Sequence, residues 1–148
     1  MAVKQLTPQE ARDLMQRDAK MIYLDVRTVP EFTAGHPQGG INIPGFFFQQ
    51  PGQPSPNPDF LTVVEAILPK DAAIIVGCQA GGRSQRAAEM LDKAGYTNVA
   101  NMMGGFGGGQ NHAGQLITGW RDAGLPVSTD NGDGVSYASL ATKAGVKA

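Results

Sequence analysis

Short unbroken apolar runs alternate along the chain with stretches whose apolar residues recur at helical spacing. Met21-Ile22-Tyr23-Leu24-Asp25-Val26 and Ala72-Ala73-Ile74-Ile75-Val76-Gly77 are runs of the first kind. A strand covered on both faces has no wet side to alternate with, so both runs predict buried parallel strands. Residues 41–44, stopped by Pro44, and residues 98–102 predict two more extended pieces. The helical pattern begins at Thr7-Pro8-Gln9-Glu10, a hydroxyl cap, a proline in the first turn and a glutamate three residues after the cap. Ala11, Leu14 and Met15 follow on one stripe, which predicts a helix over 8–17. Phe60, Leu61, Val64, Ile67 and Leu68 predict another over 58–68. Ala87, Ala88, Leu91 and Ala94, closed by Gly95, predict a third over 83–94. A last helix is expected over 116–123, around Trp120 and ended by Gly124 and Pro126. The glutamines, prolines and glycine of 46–58 read as one long loop.

Strands alternating with helices predict an α/β fold, a mainly parallel central sheet with helices on both faces and right-handed crossovers. At 148 residues the chain is one domain's length. The domain is placed at 1–127, and 128–148, with Asp130-Asn131-Gly132-Asp133-Gly134, is expected to be a frayed, flexible extension.

Composition narrows the function. Charged residues make up 17% and the net charge is −1, which leaves no basic excess to attract nucleic acid or an anionic membrane. One cysteine and two histidines allow neither an internal disulfide nor a structural zinc site, so no metal and no cofactor is expected. Charged residues interrupt the first sixteen positions, giving neither a signal peptide nor an anchor and hence the expectation of a cytoplasmic protein.

In such sheets ligands bind beyond the carboxyl ends of the strands, where the pattern delivers Asp25 and Cys78. Cys78-Gln79-Ala80-Gly81-Gly82-Arg83-Ser84 joins a strand to a helix through small residues. Successive N–H groups there can converge on one spot, and the helix adds the positive end of its dipole. A lone cysteine is most often an inert core residue. Strand, loop, arginine and helix together point instead to a sulfur nucleophile held as thiolate.

These residues carry a resemblance. Leu24-Asp25-Val26-Arg27, Glu31-Phe32, Gly35-His36, Gly40-Ile41-Asn42-Ile43-Pro44, the cysteine loop, Gly104-Gly105-Phe106, Trp120 and Gly124-Leu125-Pro126-Val127 together resemble a single-domain rhodanese, a sulfurtransferase. The resemblance implies that Cys78 accepts a sulfane sulfur as a persulfide and passes it to a thiol or to cyanide. It implies that the amides of Gln79, Ala80, Gly81, Gly82, Arg83 and Ser84 hold that sulfur while Arg83 anchors the loop. Four residues separate Cys78 from Arg83. The related cell-cycle phosphatases and arsenate reductases have five, so a phosphatase or arsenate reductase stands behind sulfur transfer. A sulfur carrier that needs a protein partner is the other alternative.

Asp25 is expected to be buried and paired, from the loop or with Arg27. Arg27 and Glu31 could pair with each other if the turn between them is helical. His36 is expected to be structural and Arg86 a solvated helix residue. Two features depart from the family pattern: Gln79 and Ala80 stand where thiosulfate-preferring members often place a basic side chain, and residues 107–118 look inserted before Trp120. The insertion is read as a mobile flap presenting Gln110, Asn111 and His112, with a tolerated surface loop as the plainer reading. Phe46, Phe47 and Phe48 are expected to place at least one ring in the core. The partners expected are a small-molecule sulfur donor and a thiol acceptor, with glutathione or a thioredoxin-like protein as candidates, and a monomer or weak homodimer.

Overall fold

The computed structural model describes residues 3–50, 53–111 and 113–147. In chain order the elements are β1 (Lys4–Leu6), α1 (Pro8–Arg17), β2 (Ile22–Asp25), α2 (Val29–Ala34), β3 (His36–Pro37), β4 (Ile41–Asn42), β5 (Phe46–Gln50), β6 (Gln53–Pro56) and α3 (Phe60–Ile67). They continue as β7 (Ile74–Gly77), α4 (Gly82–Lys93), β8 (Val99–Met102), β9 (Gly109–Gln110), β10 (Leu116–Ile117), β11 (Val127–Ser128) and α5 (Tyr137–Lys143). Five strands form the central sheet in the order β1-β8-β7-β2-β4, every pair parallel.

Both faces of the sheet are covered, as the unbroken apolar runs require. Leu24, Val26, Ile74 and Val76 point to one side, where Phe60, Val63 and Val64 of α3 and Ala87, Ala88 and Leu91 of α4 meet them. Tyr23, Ile75, Ala100 and Met102 point to the other and pack with Ala11 of α1, Phe106 and Trp120. The capping box of α1 forms as its sequence predicts: Thr7 Oγ1 accepts from Glu10 N–H, and Glu10 Oε1 accepts from Thr7 N–H.

Three expectations are corrected. Residues 116–123 are not a helix: Leu116 and Ile117 pair with Gln110 and Gly109, and a turn carries Trp120. The reason is where the backbone bonds go: the N–H groups of Trp120 and Arg121 donate to Gly105 O and Phe106 O instead of to carbonyls four residues back. Residues 46–58 are not a loop throughout, because β5 and β6 form an antiparallel ribbon. Its prolines are tolerated on a two-stranded ribbon whose outer N–H groups need no partner. Phe46 is buried, as expected for one of the three rings, and Arg86, though exposed, lies over it with Cζ 4.4 Å from the ring centroid. The frayed end after Val127 is replaced in part by α5, capped by Ser136 and burying Tyr137, Leu140 and Ala141 in the same core as α3. Ahead of that helix, Val135 O accepts from Asn42 N–H on the outer edge of β4.

Candidate active site

Parallel register brings the site together. Asp25 stands beside Gly77, so β2 and β7 end level with one another and deliver Asp25 and Cys78 to the same rim. Asn101, beside Val76 on β8, completes the row. The chain leaves β7 at Cys78, turns through Gly81 at φ +111°, and enters α4. That backbone angle explains glycine at 81.

Cys78 is buried, 2% exposed, at the foot of this turn. Gly81 N–H donates to its Sγ at 3.0 Å. Ser84 Oγ lies 3.3 Å from the sulfur and 3.1 Å from Gly81 O, and it also meets the side-chain carbonyl of Asn101. The hydroxyl has one proton, so it can donate to only one of these at a time and can accept from a thiol proton while donating to Asn101. Asn101 is fixed in turn, donating from Nδ2 to Gln5 Oε1 at 3.0 Å. Of the amides expected to face the sulfur, the one from Gly81 reaches Sγ itself.

Asp25 and Arg27 pair as expected, both almost wholly buried. The Arg27 guanidinium donates to both carboxylate oxygens, to Gly35 O at 2.7 Å and to Gln79 Oε1 at 3.0 Å. Its Cζ lies 4.7 Å from the centroid of Phe106. Burial opposes its charge, but hydrogen bonding to Asp25 and the negative charge around it, that of Asp25 first, together outweigh burial and raise its pKa. His36 is buried, its ring stacked 3.6 Å from Phe32 and Nδ1 2.9 Å from Phe32 O, a structural placement.

Glu31 does not pair with Arg27. Both its oxygens accept from Arg83, at 2.8 and 2.9 Å, a fork that ties α2 to the loop. The reason is local: Thr28 and Glu31 form a second capping box, and Arg27 lies before that cap. Thr28-Val29-Pro30-Glu31 repeats the pattern of Thr7-Pro8-Gln9-Glu10, which is the signal that could have located α2.

Burial alone would raise the Glu31 pKa, but Arg83 and Thr28 lower it to about 2, against an ordinary value of 4.5. Between those values the unfolded chain binds more protons than the folded one, so the contribution is full above pH 4.5 and lost as pH falls toward 2. Urea midpoints of the wild type should therefore drop across that window, and Glu31→Gln should flatten this part of the drop. Parallel curves for the two proteins would contradict the assignment.

The glycine-rich stretch lies directly on the cysteine loop. Phe106 N–H donates to Cys78 O at 2.8 Å and Gly107 N–H to Gln79 O at 2.9 Å. A Cβ at Gly105 would be 2.5 Å from Cys78 O, and one at Gly109 would be 2.2 Å from Ala80 O. These glycines permit backbone-on-backbone contact, and the inserted residues continue from them as the hairpin of β9 and β10. Gln110 and Asn111 are placed on that hairpin, while His112 lies outside the described residues.

Beside the loop opens a cleft of about 420 Å³, lined among others by Arg27, Glu31, Gly35, Gln79, Phe106 and Arg121. Gln79, the residue directly after Cys78, is part of its lining.

A buried sulfur with an amide and a hydroxyl aimed at it, at the start of a helix, suits covalent chemistry at sulfur. The profile of the Rhodanese-like domain matches residues 7–112. The chain is 42% identical over 105 residues to thiosulfate sulfurtransferase 16, chloroplastic, of Arabidopsis thaliana, covering 71% of this chain and 78% of that one. It is 33% identical over 129 residues to thiosulfate sulfurtransferase GlpE of Haemophilus influenzae, covering 87% and 98%. Over 84 residues it is 48% identical to the mitochondrial protein HIGH ARSENIC CONTENT 1 of Arabidopsis thaliana, but these are 57% of this chain and only 49% of that protein. The crystal structure of Rv0390 from M. tuberculosis superposes with a TM-score of 0.71 at 26% identity, over 88% of this chain and all of that one. The chain belongs to the rhodanese-like family.

Proposed function

We propose that the protein is a sulfurtransferase that carries sulfane sulfur on Cys78. The observation that carries this reading is the placement of Sγ, hydrogen-bonded by Gly81 N–H, beside the Ser84 hydroxyl, at the N-terminal end of α4. In the first half-reaction the Cys78 thiolate attacks the outer sulfur of thiosulfate or of a persulfide. A new S–S bond forms, the donor's S–S bond breaks, and sulfite or a thiolate leaves with the electron pair. In the second, an acceptor thiolate or cyanide attacks the outer sulfur, and Cys78 leaves as thiolate. The loop's N–H groups and the helix dipole stabilise anionic sulfur in both halves. Ser84 can donate a hydrogen bond to a thiolate or accept one from a thiol, which suits a sulfur that alternates between leaving group and nucleophile. Gln79 in place of a basic side chain favours a donor other than thiosulfate.

Intact-mass spectrometry after brief incubation with thiosulfate, or with glutathione persulfide, tests this. The wild type should gain one sulfur atom and Cys78→Ser none. A gain that persists in Cys78→Ser, or no gain from either donor, would overturn the reading. A loaded protein that turns over on no small acceptor would make it a carrier serving a protein partner.

A further inference from the structure

The cleft beside Gln79 is much larger than thiosulfate or cyanide needs, and its volume falls in the range of pockets for whole small-molecule ligands. Its charges are also arranged unequally. Arg27 is neutralised from behind by buried Asp25, and both oxygens of Glu31 are taken by Arg83. Arg121 differs: its side chain is 53% exposed, and among the described residues its ion-pair partner is the neighbouring, similarly exposed Asp122, 3.2 Å from Nε. Such a pair is weak and easily exchanged for a better anion.

Arg121 is nevertheless well placed. Its N–H donates to Phe106 O at 3.1 Å, and its Cζ stands 5.7 Å from the Phe106 ring whose other guanidinium neighbour is Arg27. The cleft thus combines an aromatic wall, the amide of Gln79 and a guanidinium able to grip a carboxylate by its fork.

We propose that this cleft seats the body of a peptide-sized thiol or persulfide bearing carboxylates, and that Arg121 selects it by binding a carboxylate. The inference rests on the sulfur-transfer reading and names the class of acceptor or donor at that site. Seated there, the molecule lies against the residue that follows Cys78, so its sulfur is delivered to the loop rather than captured by random encounter.

The test compares glutathione with its diethyl ester as acceptors of sulfur from the Cys78 persulfide, and measures the binding of unreactive S-methylglutathione by calorimetry. The wild type should prefer the free acid by about fivefold in kcat/KM, the scale of one partly exposed charge-assisted hydrogen bond. Arg121→Ala should bring the ratio near one and weaken S-methylglutathione binding by a similar factor. Arg121→Glu should reverse the order and favour the cationic thiol cysteamine. A wild-type ratio near one, or a preference that survives in Arg121→Ala, would overturn the inference. The calorimetric arm does not depend on sulfur transfer, so failure of the persulfide assay with Arg121-dependent binding intact would count against the parent reading alone.

Discussion

Replacing Arg27 with methionine should destabilise the protein by about 3–5 kcal/mol, because the substitution strands a buried carboxylate. Asp25 and Arg27 are 1% and 2% exposed, so water cannot take over from the lost guanidinium. Urea denaturation is the measurement. The informative control is the double variant Asp25→Leu with Arg27→Met, which removes both charges and should recover much of the loss, since an apolar pair can replace a buried ion pair at little net cost. Recovery would be incomplete, because Gly35 O and Gln79 Oε1 also lose a donor. A single variant as stable as the wild type would show that the pair is not buried as described.

The second large effect is expected at Gly105. Its φ of +58° is left-handed, costing roughly 1–2 kcal/mol for any other residue. A Cβ there also meets Cys78 O and the Gln79 carbonyl at 2.5–2.6 Å, all backbone atoms that cannot swing aside. Gly105→Ala should therefore lose about 2–5 kcal/mol in all, adding overpacking to strain. It should also push the cysteine loop away from its place, and a displacement near 1 Å is worth about a hundredfold in rate. Gly95→Ala separates the two causes. Gly95 has φ +100° with nothing within 4 Å of the added methyl, so it should show the strain without the loss of turnover. If both variants transfer sulfur equally well, the contact between the glycine stretch and the loop does not position Cys78.

Much of this fold was readable in the chain, and what was readable shares a cause. The runs ending at Asp25 and Gly77 are apolar because both faces of the sheet are covered, so pattern and burial carry the same information. Helix α1 announces itself through a cap, a proline and a stripe within eleven residues. Cys78, Arg83 and Ser84 sit at fixed offsets along one turn, and Asp25 and Arg27 are two residues apart, so local reasoning reached them. It could not reach partners distant in sequence. Glu31 and Arg83 are 52 positions apart, and Asn101 finds Ser84 only through the order of the sheet. The segment around Trp120 is not helical for the same reason: its N–H groups at Trp120 and Arg121 pair with Gly105 O and Phe106 O, partners that local spacing does not show. Helix α5 is only seven residues long and buries just Tyr137, Leu140 and Ala141, too short a stripe to read from the pattern, and it packs in the same core as α3.

The position of β1 has a consequence for how the chain acquires its structure. Lys4–Leu6 pairs with Ala100–Met102, at the opposite end of the sheet from β4, so of the five central strands the earliest along the chain is the partner of the latest. A ribosome that has released β2 and β7 has still not supplied that partner, and Leu6 and Ala11 must wait with their apolar sides uncovered. Closing so long a loop is entropically costly and slow, which places the docking of β1 late in folding. The nascent chain should consequently stay sensitive to proteolysis around Lys4–Ala11 until the segment through Met102 has emerged, with the cysteine loop already synthesised but not yet braced by Asn101 and Gln5.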